Sequence, residues 1–254
     1  MQTLKPIHAN RGAIANYKRK LEDIIKEMSD SYLYWLTAAY HKNPPLGMVK
    51  RSLPSNTAQQ ELDKLHEQWR HRFELIALFL ALFHVNRTKN ITERVLKRLF
   101  SDAGIKNVFT DTRIMRDSIN AIVSENVGLI KSIPEQYHTK IEGIVMRGYA
   151  NGDDLDTIRQ EIQSAYPITK RRASTIAGDQ ISKINMLVQN IRYIEAGITE
   201  AKWVHSHLGV PRPDHLAADG RIYNIADGCL IGGKYIQPGE LINCKCVSRA
   251  IINS

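Results

Sequence analysis

Apolar residues recur at three- and four-residue steps through most of this chain, which is the spacing that stacks side chains on one face of an α-helix. Ile14, Tyr17, Leu21, Ile24, Met28 and Trp35 predict a first amphipathic helix over 14–40. The stretch "NPPLGMVKRSLPSN" that follows has three prolines, one glycine and little periodicity, and reads as a connector. Thr57 with Gln60 three residues later makes a capping-box pattern. Leu62, Leu65, Trp69, Phe73, Ile76, Leu80 and Phe83 then form one stripe of a second long helix. The later half of that helix is apolar on nearly every face, so it is expected to be buried among other helices or against a partner subunit. A further short helix is predicted over 91–103, closed by Gly104.

From Asp111 onward the pattern is helix after helix. Ser132 is placed to cap a helix with Pro134 in its first turn and an end near Asn151-Gly152. Asp153 or Asp154 caps the next, which is expected to stop before Pro167, and Thr169 starts another that runs to Gly197. That register puts Lys170, Arg171 and Arg172 in a first turn, where the macrodipole disfavours cations, and suggests compensation by an acidic neighbour or phosphate, or by solvent alone. Beyond Gly197, helical periodicity vanishes and Gly, Pro and Asp become frequent. Two segments read as extended, "AKWVH" and "INCKCVSRAII". In the second, alternation puts Ile242, Cys244, Cys246, Ala250 and Ile252 on one face, and Asn243, Lys245 and Arg249 on the other. There is no tandem repeat of solenoid length. The predicted fold is mainly α: a basic helical region over 1–106, then a region over 107–254. The latter comprises a helical part, 107–197, and a small α+β module, 198–254.

Composition narrows the functional classes. With 254 residues, 43% of them hydrophobic, the chain can bury a substantial core. Its longest apolar run, residues 75–83, is far short of the roughly 20 residues that cross a bilayer. The start, "MQTLKPIHANRG", lacks the pattern of a secretory signal, so the protein is expected to stay where it is made. Three cysteines, Cys229, Cys244 and Cys246, are too few for a disulfide framework, and their clustering in the last 26 residues points to a local site. Residues 1–100 hold 17 Lys+Arg against 9 Asp+Glu, a net of +8 out of the chain's +9. That asymmetry suits phosphate backbones or an acidic protein surface as well as a solvated helix face. Lys18, Arg19, Lys20, Arg94, Lys97 and Arg98 are the candidates for such a contact.

The chemistry-bearing stretch is "GVPRPDHLAADG", residues 209–220. Pro211 and Pro213 hold Arg212 extended, Asp214 is placed to cap one helical turn carrying His215, and Gly220 closes that turn. His205, His207, His215, Cys229, Cys244 and Cys246 supply enough nitrogen and sulfur for a four-coordinate zinc, with Cys244 and Cys246 as the thiolate pair. The other reading makes the cysteines small core residues and gives His215 an ordinary buried hydrogen bond. A cysteine hydrolase lacks an activating helix N-terminus and an orienting third residue, and "IGGKY" lacks most of a P-loop. A nuclease using His215 and Asp219 has no further support.

The ordered set "NVGLIKSIPEQY", "YANGDDLDTI", "RRASTIAGDQISKIN", "GITEAKWVHS", "RPDHLAADG" and "PGELINCKC" resembles the Mu F-like phage head morphogenesis proteins, or minor head proteins. The resemblance covers about 120–250. Matching positions are Arg172, Ala177, Trp203, Arg212, His215, Asp219, Gly220, Asn243, Cys244 and Cys246. Lys245 stands where the family usually has arginine, and "HSHLGVP" replaces a more acidic stretch. The resemblance implies a non-enzymatic, low-copy virion component, associated with the portal vertex or capsid interior during head assembly. Its implied partners are the portal protein or major capsid protein, with packaged double-stranded DNA as a nonspecific one, and the family's His and Cys are suspected metal ligands. Two alternatives are an ejection protein that enters the host with the genome, and a toxin or nuclease built on the C-terminal His/Asp/Cys cluster.

Overall fold

The computed structural model describes residues 2–42, 56–106, 108–207 and 212–252. In chain order the elements are β1 (Gln2–Thr3), α1 (Arg11–Lys42), α2 (Asn56–Asp102), α3 (Arg113–Asn151), α4 (Leu155–Glu195), β2 (Glu200–Val204), α5 (Pro213–Ala217), β3 (Ile222–Asn224), β4 (Cys229–Ile231), β5 (Lys234–Ile236) and β6 (Val247–Ile252). The chain is mainly α with a small C-terminal α+β module, as its periodicity predicts. The connector at 43–55, the Thr57 side chain and the Pro211 lead-in lie outside the described residues.

The helices are longer and fewer than the punctuation of the sequence suggests. α1 starts at Arg11, where Asn10 Oδ1 accepts the Ala13 N–H at 2.8 Å. Its buried stripe is Ala13, Tyr17, Leu21, Ile25, Met28, Tyr32 and Leu36, so Ile24 is only half-buried and Trp35 is exposed. The separate helix expected over 91–103 is the last part of α2. Neither glycine nor proline interrupts residues 57–103, and Thr88 Oγ1 bonds back to the His84 carbonyl within the helix. Gly104, at φ +72°, ends it in the left-handed conformation.

Burial of the apolar half of α2 among other helices is overturned. Phe73, Ala77, Leu80, Ala81 and Val85 face the core, whereas Leu75, Leu78 and Phe79 are 68%, 54% and 69% exposed. Leu82 and Phe83 are also more than a third exposed. A helix that is apolar all round offers no sequence cue to its inward side, and here the inward side is the one that includes the small alanines.

Pro134 and Pro167 also mislead. Both lie inside helices, α3 and α4. Ser132 bonds back to the Leu129 carbonyl and Thr169 to the Ala165 carbonyl, so neither is a cap. Thr112 caps α3 through the Met115 N–H, and Asp154 caps α4 through the Thr157 N–H at 2.7 Å. Lys170, Arg171 and Arg172 are therefore mid-helix, and the macrodipole argument about them lapses. Lys170 still has an acidic neighbour, Glu22 at 3.9 Å. Gly197, at φ +77°, ends α4, with the Ile198 N–H reaching back to the Tyr193 carbonyl.

Two compact units divide the chain. The first comprises residues 1–17, 81–125 and 175–254, the second 18–80 and 126–174. In the first, a four-stranded antiparallel sheet of order β1-β6-β2-β3 packs around Trp203, Tyr193, Phe100, Leu96 and Leu4, and β4-β5 form a separate hairpin. Asn185 and Gln189 of α4 both donate to the Ile7 carbonyl, tying the segment before α1 to α4. Arg192, fully buried, donates to Glu93, to Glu195 at 2.6 Å and to the Thr110 carbonyl at 2.8 Å. In the second unit, Tyr137 donates to Ser29 at 3.0 Å, and the rings of His66 and His138 stack with centroids 4.0 Å apart.

The expected strand over "INCKCVSRAII" forms only from Val247. Asn243 adopts φ +61°, which breaks the extended run, so Ile242 is 63% exposed instead of sharing a buried face with the thiols. Both thiols are buried as expected.

Candidate histidine and cysteine site of the C-terminal module

The short helix α5 positions the histidine. Arg212 is its N-cap residue, extended at φ −71°, ψ 127°, and Pro213 occupies the first helical position. Asp214 is thus inside the turn, and its Oδ1 accepts the N–H of His215 at 2.9 Å. Arg212 donates to the Ile242 carbonyl at 2.9 Å, which links the turn to the cysteine segment. Gly220, at φ +82°, closes the turn and donates to the Trp203 carbonyl at 2.9 Å. These constraints bury His215 edge-on to Trp203, with ring centroids 5.3 Å apart.

Opposite His215, the left-handed Asn243 turns the chain back, and its N–H is held by Asp179 Oδ1 at 2.8 Å. Cys244 and Cys246 follow. His215 Nδ1 lies 3.4 Å from Cys244 Sγ and 3.8 Å from Cys246 Sγ, and the three ligand atoms are all within 4.8 Å of one another. The Gly239 N–H also donates to Cys244 Sγ at 3.3 Å. The Cys246 thiol hydrogen-bonds to Cys244, which, against the cost of burial, pushes the Cys244 thiol down to about 5, with help from backbone N–H groups and His215. The same bond, burial and the Cys244 charge push the Cys246 thiol up.

This donor set suits a tetrahedral zinc ion. Zn–S near 2.3 Å and Zn–N near 2.0–2.1 Å imply N···S edges of about 3.6 Å, and the two edges to His215 bracket that value. Among the described residues the group has three members. Two other candidates lie elsewhere. Cys229 is buried on β4, where burial raises its thiol. His207 is exposed, with Nε2 3.4 Å from Asp219 Oδ2.

Asp219 has a different job. Its Oδ1 accepts the His205 N–H at 2.8 Å, and that bond holds its carboxyl below the usual range. Arg172 lies in the second unit and donates to Ser132 Oγ at 2.8 Å. Arg19 and Lys20 are exposed on α1, while Lys18 is half-buried 3.7 Å from Glu22. Arg94, Lys97 and Arg98 are exposed on α2, Lys97 lying 5.6 Å from the Phe109 ring centre. Two contributors escaped the sequence reading, Asp179 and Gly239. The Pro238-Gly239 pair carried a turn signal, but nothing in sequence placed that turn against a thiol.

The profile of the family described as "Phage Mu protein F like protein" matches residues 139–249. An uncharacterized protein of Haemophilus influenzae (strain ATCC 51907 / DSM 11121 / KW20 / Rd) is 31% identical over 138 residues, covering 54% of this chain and 30% of that protein. The chain thus aligns with under a third of that relative's length. No solved structure matches.

Proposed function

We propose, from the premise that residues 139–249 belong to the Mu F-like family, that this chain is a phage minor head protein acting in head morphogenesis. In this reading it is a low-copy virion component at the portal vertex or capsid interior, docking on the portal protein or the major capsid protein. The family match carries the proposal. The motif positions Trp203, Arg212, His215, Asp219, Asn243, Cys244 and Cys246 support it by what they do, since they interlock loops and strand ends of one module. A buried histidine committed to thiols holds a fold together, and no catalytic role is assigned to it. Asp219 accepts the His205 N–H through Oδ1 and lies 3.4 Å from His207 through Oδ2, and among the described residues it is not paired with His215 as the nuclease reading requires.

Within the module, Cys244, Cys246 and His215 are proposed to hold one structural zinc ion. Such an ion would fasten α5 to the segment before β6, supplying binding energy to a small sheet.

A second reading has an observation of its own: Arg19, Lys20, Arg94, Lys97 and Arg98 are exposed in a stretch of strong positive charge. It makes the chain a DNA-binding protein ejected with the genome. Quantitative mass spectrometry of the particles separates these readings by comparing DNA-filled heads with heads emptied by triggered ejection. Retention in empty shells is expected for a head component, loss with the DNA marks an ejection protein, and absence from both overturns the virion assignment.

A further inference from the structure

A cavity of about 540 Å³ opens in the first unit, bounded by the chain entering α1, the middle of α4, the Pro238-Gly239 turn and residues 243–248. Its volume falls within the roughly 300–1,000 Å³ of small-molecule sites. The lining contains three basic residues, His8, Arg11 and Lys245, and no carboxylate. All three are exposed at the mouth, and neither Arg11 nor Lys245 enters an ion pair with a described residue. Lys89, Lys183 and Arg192 of the same unit all do. The acid whose charge reaches Lys245 is Asp179, outside the lining and bonded to the Asn243 N–H. It also acts on Lys183 and Arg212, so one carboxylate is shared among three cations and the mouth stays positive.

The interior is less charged and already satisfied. Ser182 donates to the Gly178 carbonyl, while Asn185 and Gln189 donate to the Ile7 carbonyl, so these buried groups form a fixed floor. Met186, Val247 and Pro238 add apolar wall. The Lys245 amine lies over Gly178 of α4, 3.4 Å from where a Cβ would be. α1 enters with no acid in its first turn, only the neutral Asn10 cap, so its positive end adds to the field of the three side chains. Cys244 and Cys246 also line the cavity, and Arg11 and Lys245 outweigh the one acidified thiol, so a positive mouth over a partly apolar interior recognises a molecule with an anionic head and a less polar body. Arg and Lys together favour a phosphate over a single carboxylate, because the guanidinium fork takes two oxygens and the ammonium supplies a point charge to a dianion.

We infer that this cavity binds a nucleotide-sized phosphate monoester, its phosphate between Arg11, Lys245 and His8 and its body against the Met186 and Val247 wall. A free nucleotide and the phosphorylated end of a DNA strand present the same group.

The test is calorimetric titration of the full chain with dAMP, deoxyadenosine, citrate, and a short single-stranded oligonucleotide with or without a 5′-phosphate. The expected result is binding of dAMP without binding of deoxyadenosine. Arg11→Gln and Lys245→Met should each weaken it about tenfold or more, as loss of one charged contact of ~1.4 kcal/mol does. Met186→Trp, which fills the cavity and leaves its charges, should also abolish binding, whereas Arg98→Gln should not change it. Competition of dAMP by the 5′-phosphorylated oligonucleotide but not its 5′-hydroxyl form assigns the site to strand ends, and lack of competition assigns it to free nucleotides. Failure of dAMP to bind, equal binding of citrate, or equal weakening by Arg98→Gln overturns the inference. The result is independent of whether the protein is found in heads.

Discussion

His215 presents Nδ1 to Cys244 Sγ at 3.4 Å across 29 positions of sequence, with Cys246 Sγ 3.8 Å away on the same nitrogen. The contact joins α5 to the segment before β6. If this group holds zinc, purified protein carries about one equivalent, and Cys244→Ser or Cys246→Ser lowers it to background. Chelation should then lower the melting temperature of the wild type but not of the serine variants. Unchanged metal content in both variants would exclude these ligands.

Acid should weaken the second unit through His138. Burial first, then neighbouring His66, lowers its pKa below the ordinary 6.5, with Glu142, Asp63 and Glu135 opposing. The unfolded chain therefore takes up the proton first as pH falls, so this contribution is complete above about 6.5 and is lost as pH drops through the lower folded value. Urea midpoints at pH 7.5 and 5.5 should differ more for the wild type than for His138→Gln. An identical difference would show that another group governs the acid limb.

Replacing Arg192 should be costly. Its guanidinium pairs with both Glu93 and Glu195 and stacks over Phe109, with the ring centre 4.8 Å away. Arg192→Ala leaves the mostly buried Glu93 with Lys89, 3.6 Å away, as its remaining cation, a loss of about 3 kcal/mol by denaturant titration, the low end for a broken buried pair. The double variant Arg192→Met with Glu93→Gln should recover part of that loss.

Two glycines with the same backbone sign should differ in tolerance. Gly228 has φ +91°, and a Cβ there would sit 2.9 Å from the Ile236 carbonyl oxygen, whereas Gly220 has φ +82° and open space. Gly220→Ala should cost only the left-handed penalty of about 1–2 kcal/mol, and Gly228→Ala visibly more. Equal thermal shifts would mean that the β4-β5 hairpin gives way without cost.

The helical stripes were legible because periodicity survives any boundary error, and the Arg212–His215 turn because proline and glycine fix backbone angles locally. The boundaries were less legible for a physical reason. Pro134 and Pro167 each remove one backbone hydrogen bond from a helix of 39 or 41 residues, a loss that packing along the rest of the element can offset. The strand before Val247 failed at Asn243, whose left-handed conformation is held by Asp179, a residue 64 positions away. The His–Cys–Cys group was anticipated in its members, but which of six candidate ligands meet depends on tertiary closure that spacing does not encode.

The pairing of β1 with β6 sets Gln2 opposite Ile252 and Thr3 opposite Ile251. During synthesis, β1 leaves the ribosome well before β6 and must wait for it. A sheet of such extreme sequence separation forms late and slowly. Until residue 252 clears the exit tunnel, the Trp203 core lacks β6, the strand that lies between β1 and β2. A prematurely terminated chain should therefore be recognised as unfinished by proteases, even with all four long helices already made.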